Sequence, residues 1–109
     1  MPFEQFFPRS LSVSSVREHA PARSGVYGIS NAREWILINE TDNIQAALLH
    51  HLSEADPGMR QWLPTGFVFE VCDYARRQDR QERLVREYAP ACNREWPRQG
   101  RPAGYGVGG

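Results

Sequence analysis

Residues 25 to 30 read GVYGIS and residues 35 to 41 read WILINET, two runs dense in β-branched and aromatic side chains with only the polar NARE between them. Such residues fit a pleated sheet surface, and the Asn-Ala-Arg connection supplies the turn residues that an antiparallel hairpin needs. The spacing predicts one strand over Gly25 to Ser30 and a second over roughly Glu34 to Glu40. Side chains alternate along a strand, so Trp35, Leu37 and Asn39 are expected on one face of the second strand and Ile36 and Ile38 on the other. Both faces are then largely apolar, and a hairpin of that kind has to be covered on both sides.

The rest of the chain supplies the cover. In LSVSSVREHAPA, Ser15 and Glu18 stand three apart as a capping box, Val16 can face a core, and Pro21 ends what is at best a short helix. After the hairpin, Thr41 and Asp42 are N-cap candidates for a helix through about Glu54. Ile44, Ala47, Leu48, His51 and Leu52 follow the stripe of a helix packed on a sheet. ADPGMRQWLPTG is a loop punctuated by Pro57, Gly58, Pro64 and Gly66. FVFEVCD then predicts a third strand with Phe67, Phe69 and Val71 on one face. A second helix is expected from about Ala75 to Tyr88, stopped by Pro90. Its face of Leu84, Val85 and Tyr88, extended one turn back, takes in Gln81 and Arg77, a polar pair turned inward. The closing RPAGYGVGG is too rich in Gly and Pro to bury much surface, and disorder is expected there. The expected architecture is α/β (α+β), a small three-stranded antiparallel sheet flanked by helices. Residues 1–24 form an N-terminal segment with a short helix, 25–94 the domain, and 95–109 a flexible tail.

Composition narrows the class. A chain of 109 residues holds one core, and 40% hydrophobic with 24% charged residues is ordinary for a globular domain. No apolar run approaches the roughly 18 residues of a membrane span. MPFEQFFPRS lacks the basic start and apolar centre of a secretory signal, so a cytoplasmic location without membrane contact is expected. Cys72 and Cys92 are too few for a disulfide framework and lack zinc-site spacing; both read as reduced thiols. Net charge is zero, but residues 1 to 73 carry five Arg against nine acids and residues 74 to 109 eight Arg against four, so the C-terminal third is the basic end. All 13 basic residues are Arg, which pairs with phosphate in a bidentate way, although a solvated helix face is the plainer account.

GVY, then LIN about a dozen residues on, then ETDNI, a helix ending in HHL, a further strand, and a last helix ending ERLVREYAPACN together resemble the GIY-YIG nuclease family over roughly residues 20 to 94. The resemblance implies a one-metal phosphodiesterase. A glutamate holds a divalent ion, tyrosines act on the attacking water, and an arginine stabilises charge on the phosphate. Carried over residue by residue, Tyr27 stands at the first motif's tyrosine, His51 at a histidine common in the family, and Asn93 at the closing asparagine. The second motif's tyrosine falls on Leu37 and its glycine on Asn39, where a side chain would crowd a close backbone approach. The family's arginine falls on Ala47, and its metal-binding glutamate on Gln81.

These losses set the functional expectation. A hard divalent cation prefers carboxylate oxygen over a single amide, and removing one electrostatic group of this kind costs about 2.7 to 4 kcal/mol of barrier. Glu82 is one residue from the required position, but a helical step of about 100° turns it toward solvent, so it becomes a ligand only if the alignment slips by one. Each retained residue also has a structural reading. Tyr27 can be a strand aromatic with its hydroxyl at the core edge. His51 can be a packing residue, Gln81 a buried amide bonded to Tyr27 or backbone, and Asn93 the end of a turn after Pro90. Tyr27, His51, Gln81 and Asn93 are therefore read as vestigial catalytic positions, with Arg77, Arg80, Arg83 and Arg86 as candidate phosphate contacts and no metal cofactor. The leading expectation is a binding module for DNA or another nucleic acid. The alternatives are an endonuclease using magnesium or manganese through a rearranged site, with Arg77 supplying a cation, and a protein-interaction domain using Trp62 or Trp96 and the loop from Ala55 to Thr65.

Overall fold

The computed structural model describes Phe3 and residues 8–53 and 60–95. In chain order they form β1 (Arg9–Ser10), α1 (Val13–His19), β2 (Gly25–Ser30), β3 (Trp35–Thr41), α2 (Ile44–Ser53), β4 (Gly66–Val71), α3 (Tyr74–Tyr88) and α4 (Ala91–Glu95). The sheet runs β1-β4-β2-β3 with every pair antiparallel. An antiparallel sheet flanked by helices is the expected class, but it has four strands where the apolar pattern predicts three. The extra strand is β1, where Arg9 lies opposite Phe67 and Ser10 opposite Gly66. Two exposed polar residues carry no periodicity from which a strand can be read.

The hairpin forms as expected, with Asn31 closing the turn. Its Oδ1 accepts from the backbone N–H of Arg33 at 2.8 Å and of Glu34 at 2.9 Å, an Asx turn. The register shifts between Ile29 and Ser30, because Ile29 lies opposite Leu37 and Ser30 opposite Trp35. Ile36 is the extra residue of a bulge, and a bulge changes which face the following residues take. Trp35 therefore packs with Ile38 on one side, while Ile36 and Leu37 both join the other, correcting the strict alternation expected along this strand.

Two apolar cores result. Between the sheet and α1, α2 and α4 lie Val16, Tyr27, Ile29, Ile36, Leu37, Ile44, Leu48, Phe67 and Cys92. On the opposite face, under α3, Val26, Ile38, Val68 and Leu84 pack with Phe3, Trp35, Val85 and Tyr88. The helix stripes read from sequence are the ones turned inward: on α3 Leu84 is buried and Arg77, Gln81, Val85 and Tyr88 are half-buried around it. Two caps differ from expectation. Ser12, not Ser15, caps α1 by accepting from Ser15 N–H at 3.3 Å. On α2, Asn43, one residue beyond Thr41 and Asp42, accepts from Ala46 N–H at 2.9 Å. Asp73 caps α3, and Ala89 in a left-handed conformation at φ 46° ends it before Pro90. Glu54, Trp96 and the tail expected to be disordered lie outside the described residues.

Gly25 and Gly28 on the central strand are sites of close approach. A Cβ on Gly25 would run into the Glu70 carbonyl oxygen of β4 and come 2.8 Å from Ile44 Cδ1, and the backbone atom cannot move without breaking the ladder. A Cβ on Gly28 would meet only ring atoms of Trp35 and Phe3, at 2.9 and 3.1 Å. Gly25→Ala is expected to destabilise by at least about 1–3 kcal/mol, the usual cost of overpacking, and by more than Gly28→Ala. Urea unfolding midpoints of the two variants check the order.

Candidate functional site

Tyr27 lies on the central strand β2 directly opposite Asn39 of β3. The ring is 2% exposed and belongs to the core beneath α2. In its last turn, α2 brings His51 over the sheet, where its Nε2 and the Tyr27 hydroxyl are hydrogen-bonded at 2.7 Å. Burial pushes the Tyr27 hydroxyl up to about 12, because a phenolate would lose its hydration; hydrogen bonding from the Asn39 side chain pulls the other way and is the smaller effect. Tyr27 and His51, placed together by the family resemblance, do meet. The hydroxyl is a neutral donor and acceptor throughout the physiological range rather than a ready base.

A second cluster forms along the outer edge of β3, whose outward backbone groups have no neighbouring strand among the described residues. Asn93 on α4 satisfies both polar groups of Ile38, accepting its N–H at 2.8 Å and donating Nδ2–H to its carbonyl at 3.0 Å. The Asn93 amide is thus committed to the sheet rather than to a turn after Pro90. Gln81 on α3 accepts from Glu40 N–H at 2.9 Å, so its partner is backbone and not Tyr27. The Asn39 Oδ1 shares that same N–H at 3.0 Å. Arg77, one turn before Gln81, donates from Nε to the Glu40 carboxylate at 2.6 Å and from Nη1 to Ser24 Oγ at 3.2 Å. Asn39, opposite Tyr27 and between Ile38 and Glu40, links the two clusters. Neither Asn39 nor Glu40 stands out in sequence as a functional residue. The signal that could have found Glu40 is Arg77 itself, since a guanidinium on an inward helix face needs a carboxylate partner.

The other candidate cations divide. Arg80 makes two bonds to Glu70, at 2.6 and 2.8 Å, with both side chains largely covered. Arg83 pairs with Asp79 at 3.2 Å on the open surface, a contact of small energetic weight. Arg86 is exposed, as is Glu82, which faces away from the sheet as its helical position requires. A shallow depression of about 380 Å³ on the outer side of α3 is lined by Asp79, Glu82, Arg83, Arg86 and Glu87, a surface of mixed sign. Among the described residues no helix is long and apolar enough to cross a membrane.

No protein-family model matches the sequence, and no curated protein matches it. Solved structures do. The magnesium-bound GIY-YIG N-terminal endonuclease domain of UvrC from Thermotoga maritima superposes with a TM-score of 0.62 at 19% identity, over 72% of this chain and 94% of that one. A point mutant of the same domain with a tyrosine changed to phenylalanine, bound to its catalytic divalent cation, gives the same figures. A third form, with an asparagine changed to alanine, matches at a TM-score of 0.60 and 18% identity over 71% and 92%. The chain has a GIY-YIG-like fold.

The residues present do not fit the divalent cation that those domains hold. The only oxygen Gln81 offers is a neutral amide already accepting from Glu40 N–H. The adjacent carboxylate, Glu40, is neutralised by Arg77, whose own charge opposes a second cation.

Two outcomes follow from this geometry. Asn93→Ala leaves the N–H and C=O of Ile38 without partners and is expected to cost about 1–3 kcal/mol, read as a lowered thermal midpoint. For Tyr27, the folded hydroxyl sits above its unfolded value of 10.0, at about 12. The folded state therefore holds the proton more tightly, so the contribution is complete below pH 10 and is lost as pH rises toward 12. Unfolding free energies measured from pH 9 to pH 12 should fall more steeply for the native protein than for Tyr27→Phe, across the interval from the unfolded to the folded value.

Proposed function

We propose that this chain is a catalytically degenerate GIY-YIG-like domain that binds nucleic acid without cutting it. The observation that carries the reading is the Gln81 amide oxygen, spent on Glu40 N–H at the position where the family resemblance asks for a metal-binding carboxylate. Two further positions agree with it. Leu37, where the resemblance places a second tyrosine, is buried without a hydroxyl, and Ala47, where it places an arginine, packs against the first core as a methyl group. With the metal ligand, the phosphate cation and one hydroxyl all absent, the electrostatic stabilisation that lowers a phosphodiester barrier is missing in each of its parts.

Binding asks for less than hydrolysis, since phosphates need only accessible cations. Arg77 and Arg80 are committed to Glu40 and Glu70, so the phosphate-facing role passes to the exposed Arg83 and Arg86. A second reading, a protein-interaction domain, is favoured by one feature. Beside the half-buried Trp62, whose indole N–H has no hydrogen-bond partner among the described residues, Leu63 is held in a left-handed conformation at φ 53° and is 75% exposed. A protein retained on the immobilised domain after nuclease digestion would select that reading.

Plasmid incubated with the purified domain and magnesium or manganese is expected to stay supercoiled. Metal-dependent nicking that disappears in Tyr27→Phe would overturn the degenerate assignment. Short DNA should bind at about 50 mM salt, with Arg83→Ala and Arg86→Ala each lowering the salt slope by about one. Absence of binding at that salt would overturn the nucleic-acid assignment.

A further inference from the structure

Tyr74, the first residue of α3, is 77% exposed, more than any other large hydrophobic side chain among the described residues. It belongs to neither core. Its ring is nonetheless fixed, because the Arg77 guanidinium carbon lies 4.7 Å from the ring centroid. That guanidinium is anchored in turn, with a side chain 14% exposed that bonds Glu40 at 2.6 Å and, at 3.2 Å, the Ser24 hydroxyl. Ser24 passes the restraint on by donating to the Cys72 carbonyl at 2.9 Å. The sheet thus holds a cation, the cation holds an aromatic ring, and the ring presents most of its surface to water. Leaving that much apolar surface exposed while restraining it does nothing for the core.

We infer that Tyr74 is a stacking platform for an unpaired nucleobase of a single-stranded nucleic acid. This deepens the nucleic-acid reading above and rests on it. A planar π-system is the ligand that matches an exposed ring already stacked on its other side, and every base offers one regardless of sequence. A duplex cannot use the platform, because its bases are stacked on one another and only phosphates and groove edges face outward. The charges at this end of the molecule suit the flanking phosphates. Arg76, beside Arg77, and Arg23, beside Ser24, are exposed and make no ion pair among the described residues. Of the acids next to these residues, Glu40 is paired with Arg77, while Asp73 keeps its charge and directs it at the α3 N-terminus, accepting from the Arg76 N–H at 3.1 Å. Because the ring is pre-placed, little side-chain entropy remains to be lost on binding.

The test is fluorescence anisotropy with a labelled oligodeoxythymidylate of about ten nucleotides, a length within the footprint of stacking-based binders, against a labelled, fully paired blunt-ended duplex without a loop at about 50 mM salt. Native protein, Tyr74→Ala and Tyr74→Phe are compared, with unfolding midpoints as a check that this exposed substitution leaves the fold intact. The single strand is expected to bind more tightly than the duplex, and Tyr74→Ala to weaken it by about 5- to 140-fold, the range for loss of one stacked base. Tyr74→Phe should retain single-strand affinity, because the ring and not the hydroxyl does the stacking. Duplex affinity should be unmoved by either change. The inference is overturned if Tyr74→Ala changes single-strand affinity by less than about twofold, or weakens single strand and duplex alike. Binding that ignores Tyr74 sinks this inference alone; binding to neither probe sinks the nucleic-acid reading with it.

Discussion

A strand at the rim of a sheet carries N–H and C=O groups that water or another chain must satisfy, and the arrangement around β3 depends on how that requirement is met. Here two side-chain amides meet it. Asn93 reproduces the donor and acceptor of a missing strand opposite Ile38, and Gln81 supplies the acceptor opposite Glu40. An amide suits this task because it is neutral and carries both functions in one plane. The contacts also tie α3 and α4, which follow the sheet in sequence, to its far edge, so these two helices are located by hydrogen bonds as well as by the Leu84 and Cys92 contacts beneath them.

The same economy governs charge. The basic surplus of the C-terminal third suggests a cationic face, but the two arginines nearest the sheet are neutralised within the fold. Partly covered pairs of this sort fix geometry more than they add stability, since desolvation cancels much of the attraction. They also decide what remains outside. Arg76, Arg83 and Arg86 reach solvent alongside Asp79, Glu82 and Glu87, so α3 presents a nearly balanced surface.

How much of this was legible in the sequence follows from which signals are periodic. The hairpin, the α2 stripe and the inward face of α3, with Arg77 and Gln81 on it, announce themselves through spacing, and all are present in the fold. The two-residue β1 has no period to detect. The bulge at Ile36 is a one-residue event that leaves composition untouched yet reverses the faces of Trp35 and Ile36. At the site, sequence could say which residue types stand at which positions, and the meeting of Tyr27 with His51 agrees with that placement. It could not say what Gln81 and Asn93 bond to, because their partners are backbone groups far along the chain, and a backbone N–H looks the same in every residue.

The Gln81 position also shows why a neutral side chain suits the fold there. Arg77 and Glu40 form a compact neutral pair within one helical turn of Gln81. A carboxylate in place of the amide would put a second negative charge beside Glu40, and in a partly covered site that charge must be met by a cation or by a proton. With glutamine the acceptor for Glu40 N–H is kept, the volume is nearly kept, and the cluster stays neutral with no ion required. The amide at position 81 thus lets the edge of the sheet close on its own side chains.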